Sequence, residues 1–292
     1  MLSILIPTYN YNVQPLVEAL VLQCAEFDNI EVVVFDDASP NLPADNLKIN
    51  DYKNCFFKIL PINVGRSVIR NQLVQAAKYD WILFLDADVM PVKLDFIPQY
   101  LNAIASGFDV VYGGLAYEKQ MPKPGFKLRW YYGNAREALT LKERNLKKPN
   151  DFLCSNVLIK KKVFETVLFP ANLRNYGYED LIFNLEIVKN NFQILQIENE
   201  VYHLNIESDS VFLEKTDLAL SNLNFLLQSK ILNPDEIKIA KYANFLSSNI
   251  LIFIISKLRL VTFFKFLTLH FPKNILWFDL YKLTYLIKKQ NA

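Results

Sequence analysis

The sequence predicts an α/β protein: a mostly parallel sheet with helices on both faces, followed by a helical appendage. Three observations carry this. Apolar runs rich in Val, Ile, Leu and Phe recur at residues 2–7, 31–36, 55–60, 81–85 and 109–112. Between them, residues 13–24, 67–79 and 94–104 space their apolar side chains as helices do. Strands alternating with helical patterns of about 10–15 residues are the signature of parallel βαβ units, and runs apolar throughout fit strands covered on both faces. From residue 217 onward the pattern is helical.

Each element has its local reason. Residues 2–7 read as the first core strand, and Leu16, Leu20 and Val21 place one apolar face on the helix that follows. The runs at 31–36, 55–60 and 81–85 are short and β-rich. Residues 113–150 break the rhythm with Gly113-Gly114, Pro122, Pro124 and Gly125, then aromatics and lysines. This predicts a long mobile connection with a helix near 134–144, and a loop of that length is usually functional or disordered. Strand and helix resume at 152–159 and 162–168. A helix over 179–190 is expected to bury Leu181, Leu185 and Val188, and short strands follow at 192–196 and 201–204.

Composition narrows the class. Of 292 residues, 52% are hydrophobic, enough for a large core and outside the disordered range. A formal charge of +2 leaves no electrostatic footprint for a nucleic acid. That balance hides an asymmetry: residues 236–292 hold nine Lys and Arg against two acids, and residues 1–235 hold 23 against 28. Three scattered cysteines, Cys24, Cys55 and Cys154, form neither a disulfide framework nor a zinc pattern, so a reducing cytoplasm is expected. No signal peptide is expected, since the apolar N-terminus reads as a strand. The most apolar run, 250–255, is soon followed by Lys257, Arg259 and Lys265, short of the roughly 20 apolar residues of a spanning helix.

Ligands of open parallel sheets sit beyond the carboxyl ends of the strands, which makes polar clusters after strands the site candidates. Leu83-Phe84-Leu85 runs into Asp86-Ala87-Asp88. If the backbone stays extended, period two puts both carboxylates on one side, where they suit a hard divalent cation and a diphosphate. A lone pair of this kind is also a common solvated turn. Its company strengthens it. Ile6-Pro7-Thr8-Tyr9-Asn10 and Val34-Phe35-Asp36-Asp37-Ala38-Ser39 are two more strand ends of the same sheet, although Asp37 and Ser39 also suit caps. Asn63-Val64-Gly65-Arg66-Ser67 opens a helix carrying Arg70-Asn71, with Ser67 as the expected N-cap. Helix N-termini and arginines both favour phosphate, while Arg70 in a surface ion pair is the plain alternative.

Together these segments resemble the successive motifs of family 2 glycosyltransferases with the GT-A fold, in order and spacing, over about residues 1–115. The resemblance implies a Rossmann-like GT-A sheet and nucleotide binding by Pro7, Thr8, Tyr9, Asp36, Asp37, Asn63, Arg66, Arg70, Asp86 and Ala87. It implies a Mn²⁺ or Mg²⁺ ion held chiefly by Asp88, with Asp86 and His203 as further ligands. Asn175-Tyr176-Gly177-Tyr178-Glu179-Asp180 resembles the Glu-Asp motif of inverting members, which implies Asp180 as general base and Glu179 as its acceptor-binding neighbour. By charge alone, two acids at a helix start simply complement the helix dipole. A lone histidine is more often structural, and the ligand role of His203 comes from the resemblance. His270, among Leu269, Phe271 and Phe266, reads as structural or interfacial.

The implied architecture is a catalytic domain over 1–215, with a nucleotide-sugar half (1–115) and an acceptor half (116–215), then a tail over 216–292. The donor is a UDP-sugar by default, with GDP- and dTDP-linked donors open, and the acceptor is a glycan or lipid-linked hydroxyl. The rivals are a polyprenyl-phosphate sugar transferase, whose ionised acceptor needs no base, and a non-catalytic protein of the same fold. A nucleotidyltransferase would want a Gly-rich N-terminal loop, and no Gly precedes Gly65. The tail combines nine large aromatics between Phe253 and Tyr285 with scattered cations. It suits an anionic membrane surface, a homo-oligomer interface or packing on the catalytic domain. The expected location is cytoplasmic, with a peripheral place on the inner membrane face as the membrane variant.

Overall fold

Alternating burial builds the sheet of the computed structural model, which describes residues 1–147, 150–171, 173, 176–246, 253–255 and 257–291. In β1 (Leu2–Thr8), Ile4 and Ile6 face one core and Leu5 the other. In β2 (Ile30–Asp36), Val32 and Val34 oppose Val33 and Phe35, and in β4 (Trp81–Leu85), Leu83 and Leu85 oppose Ile82 and Phe84. Strands buried on both faces cannot show a polar side, which is why they read as unbroken apolar runs.

One core is closed by α1 (Gln14–Cys24) through Leu16, Val17 and Leu20, and by α3 (Phe96–Ile104) through Phe96, Ile97 and Tyr100. The other is closed by α2 (Arg66–Ala76) through Ile69, Leu73 and Val74, and by α6 (Glu179–Lys189) through Phe183 and Ile187.

Seven strands run in the order β3 (Cys55–Ile59), β2, β1, β4, β8 (Asn156–Lys160), β6 (Val110–Tyr112), β9 (Ile194–Gln196). All neighbours are parallel except β8, which is antiparallel to β4 and β6. The expected mixed, mostly parallel sheet is therefore the one observed. Successive strands step away from β1 to β3, then the chain crosses back to β4 on the other side of β1. That reversal between β1 and β4 leaves a crevice at their carboxyl ends.

A second sheet was not expected: β5 (Val89–Pro91), β10 (Val201–His203) and β7 (Leu115–Ala116), with β10 central. β10 answers to the strand expected at 201–204, but which strands it pairs with is not a local property, and β5 and β7 are too short to show a pattern.

Three local expectations need correction. Residues 113–147 are not a loose connection, and the helix expected at 134–144 is two helices, α4 (Lys127–Arg136) and α5 (Leu141–Lys147). The break is a capping box: the Glu143 N–H donates to Thr140 Oγ1 at 3.3 Å, and the Thr140 N–H to Glu143 Oε2 at 3.1 Å. The helix expected at 162–168 is only a 3₁₀ turn, Lys161–Glu165. Finally, α6 buries Phe183, Asn184 and Ile187, with Val188 exposed. Phe183 stacks on Phe169 with ring centroids 4.0 Å apart, and aromatic packing outweighs the Leu and Val positions. Asn175 and residues 250–252 of the apolar run lie outside the described residues.

The chain divides into two compact units. The first comprises Met1–Glu118, Glu137–Arg174 and Glu179–Asn205; the second comprises Lys119–Arg136, Asn175–Tyr178 and Ile206–Ala292. The second is helical, with α4, α7 (Asp209–Gln228), α8 (Lys238–Leu246), α9 (Leu260–His270) and α10 (Ile275–Gln290). Leu128, Leu213, Phe278 and Tyr281 form one buried cluster in it, packed by Tyr132, Phe212, Phe264 and Tyr285, and Leu220, Leu223, Leu226 and Leu286 are buried as well. Asp209 caps α4 by accepting the Leu128 N–H at 2.8 Å. No described helix is long and apolar enough to cross a membrane.

Arg144 on α5 ties the first unit together. Buried, its guanidinium donates to the carbonyls of Leu139, Tyr112, Gly113 and Ile197 and to Gln196 Oε1. Gly114 sits at φ +94°, where a Cβ would lie 2.8 Å from the guanidinium, so a side chain is excluded on both grounds. Arg144→Ala leaves these buried acceptors without a donor. It is expected to lower unfolding free energy by about 3 kcal/mol or more, measured by urea denaturation.

Candidate active site

The carboxyl ends of β1, β2 and β4 build the site. The chain turns sharply after β1 and β2, with Asn10 at φ +50° and Ala38 at φ +57°, a strained conformation for non-glycine residues. The two turns are tied to each other. Asp36, fully buried, accepts from the Ser39 N–H at 2.7 Å and the Ser39 hydroxyl at 2.6 Å, and Ser39 Oγ accepts the Asn10 N–H at 2.6 Å. Tyr9, between them, is half exposed. Thr8 donates its hydroxyl to the Tyr11 carbonyl at 3.3 Å, and Pro7 stays inside β1 beside Phe35.

Asp37 reaches 27 residues ahead to organise the third loop. Its carboxylate accepts the N–H groups of Val64 and Gly65 at 2.7 and 2.9 Å, and its carbonyl accepts from Asn63 Nδ2 at 3.0 Å. Gly65, at φ +83°, is the N-cap of α2, whereas Ser67 lies inside the helix; the expected cap at Ser67 is corrected by this remote carboxylate. Asp36, Asp37 and Asn63 thus shape the loops with the same groups that the sequence offered to a nucleoside.

Arg70 is the largest departure from expectation. Only 2% exposed, its guanidinium is enclosed rather than presented to phosphate. Nη1 meets Asp180 Oδ1 at 2.6 Å and Nη2 meets Asp86 Oδ1 at 3.0 Å, while the cation lies over the Phe169 ring. The surface ion pair considered as its plain alternative is in fact a buried bridge between two carboxylates 94 residues apart in the chain. Asp180 also accepts the Cys154 N–H at 3.4 Å. Arg66, on the exposed side of α2, lies 3.6 Å from Glu179. Side-chain exposure separates the acids of the Glu-Asp pair: 29% for Asp180 and 11% for Glu179.

The Asp86-Ala87-Asp88 segment also differs from the extended geometry expected. β4 ends at Leu85 and residues 87–88 form a turn into β5, so the carboxylates find different partners. Asp86 serves Arg70. Asp88 faces His203, delivered by β10: His203 pairs with Val89, the Leu204 N–H donates to the Asp88 carbonyl at 2.9 Å, and His203 Nε2 lies 3.8 Å from Asp88 Oδ2. Burial pushes the Asp88 carboxyl above its ordinary range, opposed by His203 and reinforced by the charge of Asp86.

These residues fit a divalent cation in part. The Asp88–His203 separation is too long for a hydrogen bond, both groups are largely shielded, and a carboxylate with an imidazole suits Mn²⁺. Among the described residues no cluster of three or more His, Cys, Asp or Glu could hold a metal, so two protein ligands would leave the rest of the shell to a ligand. His203 Nδ1 has no hydrogen-bond partner, and the ring is held instead by stacking on Tyr117, 5.5 Å away at 18°. Ligating histidines are usually oriented by a hydrogen bond from the second nitrogen; here the stacking on Tyr117 is what fixes the ring plane. Tyr117 in turn donates to Glu137 Oε2 at 2.5 Å. Sequence reading missed Tyr117 and also Tyr11, whose hydroxyl is shifted up by burial and by the Asp88 charge. Position after a strand end could have flagged Tyr11; nothing local marks Tyr117.

A family model described as Glycosyl transferase family 2 matches residues 3–168. An uncharacterized glycosyltransferase of Haemophilus influenzae is 25% identical over 197 residues, covering 65% of this chain and 72% of that protein. The chain spans about a third of the length of two further curated relatives it matches. The mannosyltransferase PcManGT of Pyrobaculum calidifontis, solved with GDP-Man and Mn2+, superposes with a TM-score of 0.63 at 15% identity, over 99% of this chain and 86% of that one. S. aureus TarS 1-349 with UDP-GlcNAc gives 0.54 at 18% identity, over 100% and 92%. At these identities the likeness is one of fold.

Arg70→Met would leave Asp86 and Asp180 without their shared cation. It is expected to cost about 3–5 kcal/mol of stability in urea denaturation. Arg70→Lys should recover only part of the loss, because an ammonium cannot serve two carboxylates as a planar fork does.

Proposed function

Since the chain belongs to family 2 of the glycosyltransferases, we propose that it transfers a sugar from a nucleotide-sugar donor to an acceptor hydroxyl with inversion at the anomeric carbon. The observation that carries the reading is the pairing of Asp88 with His203, 115 residues apart in sequence, in the crevice beside β1 and β4. Asp88 and His203 would hold Mn²⁺ or Mg²⁺ there, with Asp86 beside them, and such an ion supplies charge neutralisation for a departing diphosphate. The nucleoside would lie along the loops of Thr8, Tyr9, Asp36 and Asn63. A UDP-sugar is the default donor; TarS binds UDP-GlcNAc, and the mannosyltransferase binds GDP-Man.

Asp180 is the better placed base. It is the more exposed acid of its pair, and the charge-assisted contact with Arg70 orients it. The acceptor oxygen attacks the anomeric carbon opposite the nucleotide, the bond to the diphosphate oxygen breaks, and the hydroxyl proton passes to Asp180. The acceptor is a glycan or glycolipid. A base poised for a neutral hydroxyl weighs against a polyprenyl-phosphate acceptor, which arrives ionised, and also against a purely binding role. In the second unit, the basic, aromatic helices suit a membrane surface or a second copy of the chain.

Two variants test this. Asp88→Ala should abolish Mn²⁺-dependent UDP binding in calorimetry without changing the melting temperature; unchanged binding would remove the metal role. Asp180→Asn keeps the shape and an acceptor for Arg70 but cannot take a proton. Transfer should fall by about 10²–10⁴-fold with donor affinity nearly unchanged. Near-normal turnover would take the base out of this position.

A further inference from the structure

A cavity of about 630 Å³ lies within the helical unit, between the start of α4 and the turn joining α9 to α10. Lys127 and Tyr131 from α4 line it with His270, Phe271, Lys273 and Asn274 from the turn. None of the described lining residues is acidic. Asp209, whose charge Lys127 feels, is committed to capping α4. His270 spends its Nδ1 proton on the Phe266 carbonyl at 2.9 Å and stacks on the Phe266 ring, which fixes the imidazole as a wall of the cavity. The two ammonium groups of Lys127 and Lys273, with the Asn274 amide beside them, face one open cavity and make a site for a phosphate.

The neighbourhood says which kind of phosphate. Phe263, Phe266 and His270 follow at helical spacing on one face of α9, and both phenylalanines are more than half exposed. Phe271, in the lining itself, and Leu276, on the first turn of α10, are exposed as well. The other side of α9 packs Phe264 into the core of the unit and buries Thr268. A soluble phosphate would not require an apolar border, and a neutral glycan would not require two lysines. Cations beside exposed aromatic rings fit the headgroup level of a bilayer, where phosphate meets Lys and rings enter the acyl boundary. The charge balance agrees, with nine Lys and Arg against two acids in residues 236–292.

We propose that this cavity seats the phosphate headgroup of an anionic membrane lipid, with Phe266 and Phe271 entering the bilayer beside it. This deepens the membrane reading of the helical unit and is independent of the transfer site, since none of these residues belongs to it. Docked in this way, the enzyme would work on acceptors presented at that surface.

The test is co-sedimentation of the full-length chain with phosphatidylcholine vesicles, with and without phosphatidylglycerol. Binding should require phosphatidylglycerol. Lys127→Ala with Lys273→Ala should weaken it about tenfold or more, while Lys288→Ala with Lys289→Ala, an equal charge loss at the end of α10, should change it less than about threefold. Phe266→Ser with Phe271→Ser should weaken it and leave a remnant that salt removes. Should the double lysine variant melt early in circular dichroism, Lys273→Ala alone, on an exposed turn, carries the same comparison. Equal loss from both lysine pairs would overturn the cavity, leaving only diffuse attraction. Glycerol phosphate bound in solution as tightly as vesicles would overturn the lipid in favour of a free anion. A wild-type dimer that dissociates in the phenylalanine variant, with no vesicle binding, would assign the face to a second copy. Donor binding, measured in parallel, should be unchanged in every variant, so failure here is distinct from failure of the transferase reading.

Discussion

A guanidinium that is 2% exposed is stable only if its charge is matched within the protein, and Arg70 is matched by Asp86 and Asp180. Much of the first unit follows from that requirement. The cation leaves from the second turn of α2, the first carboxylate stands at the end of β4, and the second stands at the start of α6. None of the three can shift without stranding a charge in a poorly solvated place, where one unpaired ion costs several kcal/mol. Phe169, against the guanidinium and stacked on Phe183, carries the same constraint into the apolar core. The buried ion pair therefore registers a helix, a strand and a second helix whose apolar contacts alone would tolerate small slips.

A similar economy governs the strand ends. Asp36, Asp37, Ser39 and Asn63 spend their polar groups on one another's loops, so three turns separated in sequence hold a single shape. A cleft built this way is preorganised: it need not be ordered again when a ligand arrives. The short sheet of β5, β10 and β7 extends the principle to His203, which reaches Asp88 because main-chain pairing aligns it there, with Tyr117 setting the plane of the ring. Arg144 fixes the crossings that lead into β7 and β10, so a residue far from any chemistry governs where the imidazole stands.

The helical unit is organised differently. Its core mixes aliphatic side chains with Phe278 and Tyr281, and its polar contacts include caps and surface pairs such as Arg136 with Asp279. Tyr281 and Lys265 both meet Asp217, which neutralises one of its few inward charges. What it leaves exposed, phenylalanines beside lysines, is the surface it has to offer.

Legibility in the sequence followed the range of the interaction. The fold class, the long strands, most helix positions and the three polar strand ends were readable, because burial on two faces and period-2 or period-3.6 spacing are local signals. The candidate residues were also readable as residue types at strand ends. Their partners were not. That Asp37 would cap a loop 27 positions away, that Arg70 would be enclosed by two acids, and that Tyr117 would stack on His203 all depend on which elements become neighbours. The helix break at Thr140 has a local signal in its Thr-x-x-Glu box, which the single helix expected over 134–144 passed over, whereas the buried face of α6 has none, since Phe183 and Leu185 are equally apolar and only the position of Phe169 chooses between them. Sequence by itself determined the layers and the chemistry available at the sheet edge. Tertiary structure decided which carboxylate meets which cation, because charge pairing acts through space and leaves no period along the chain.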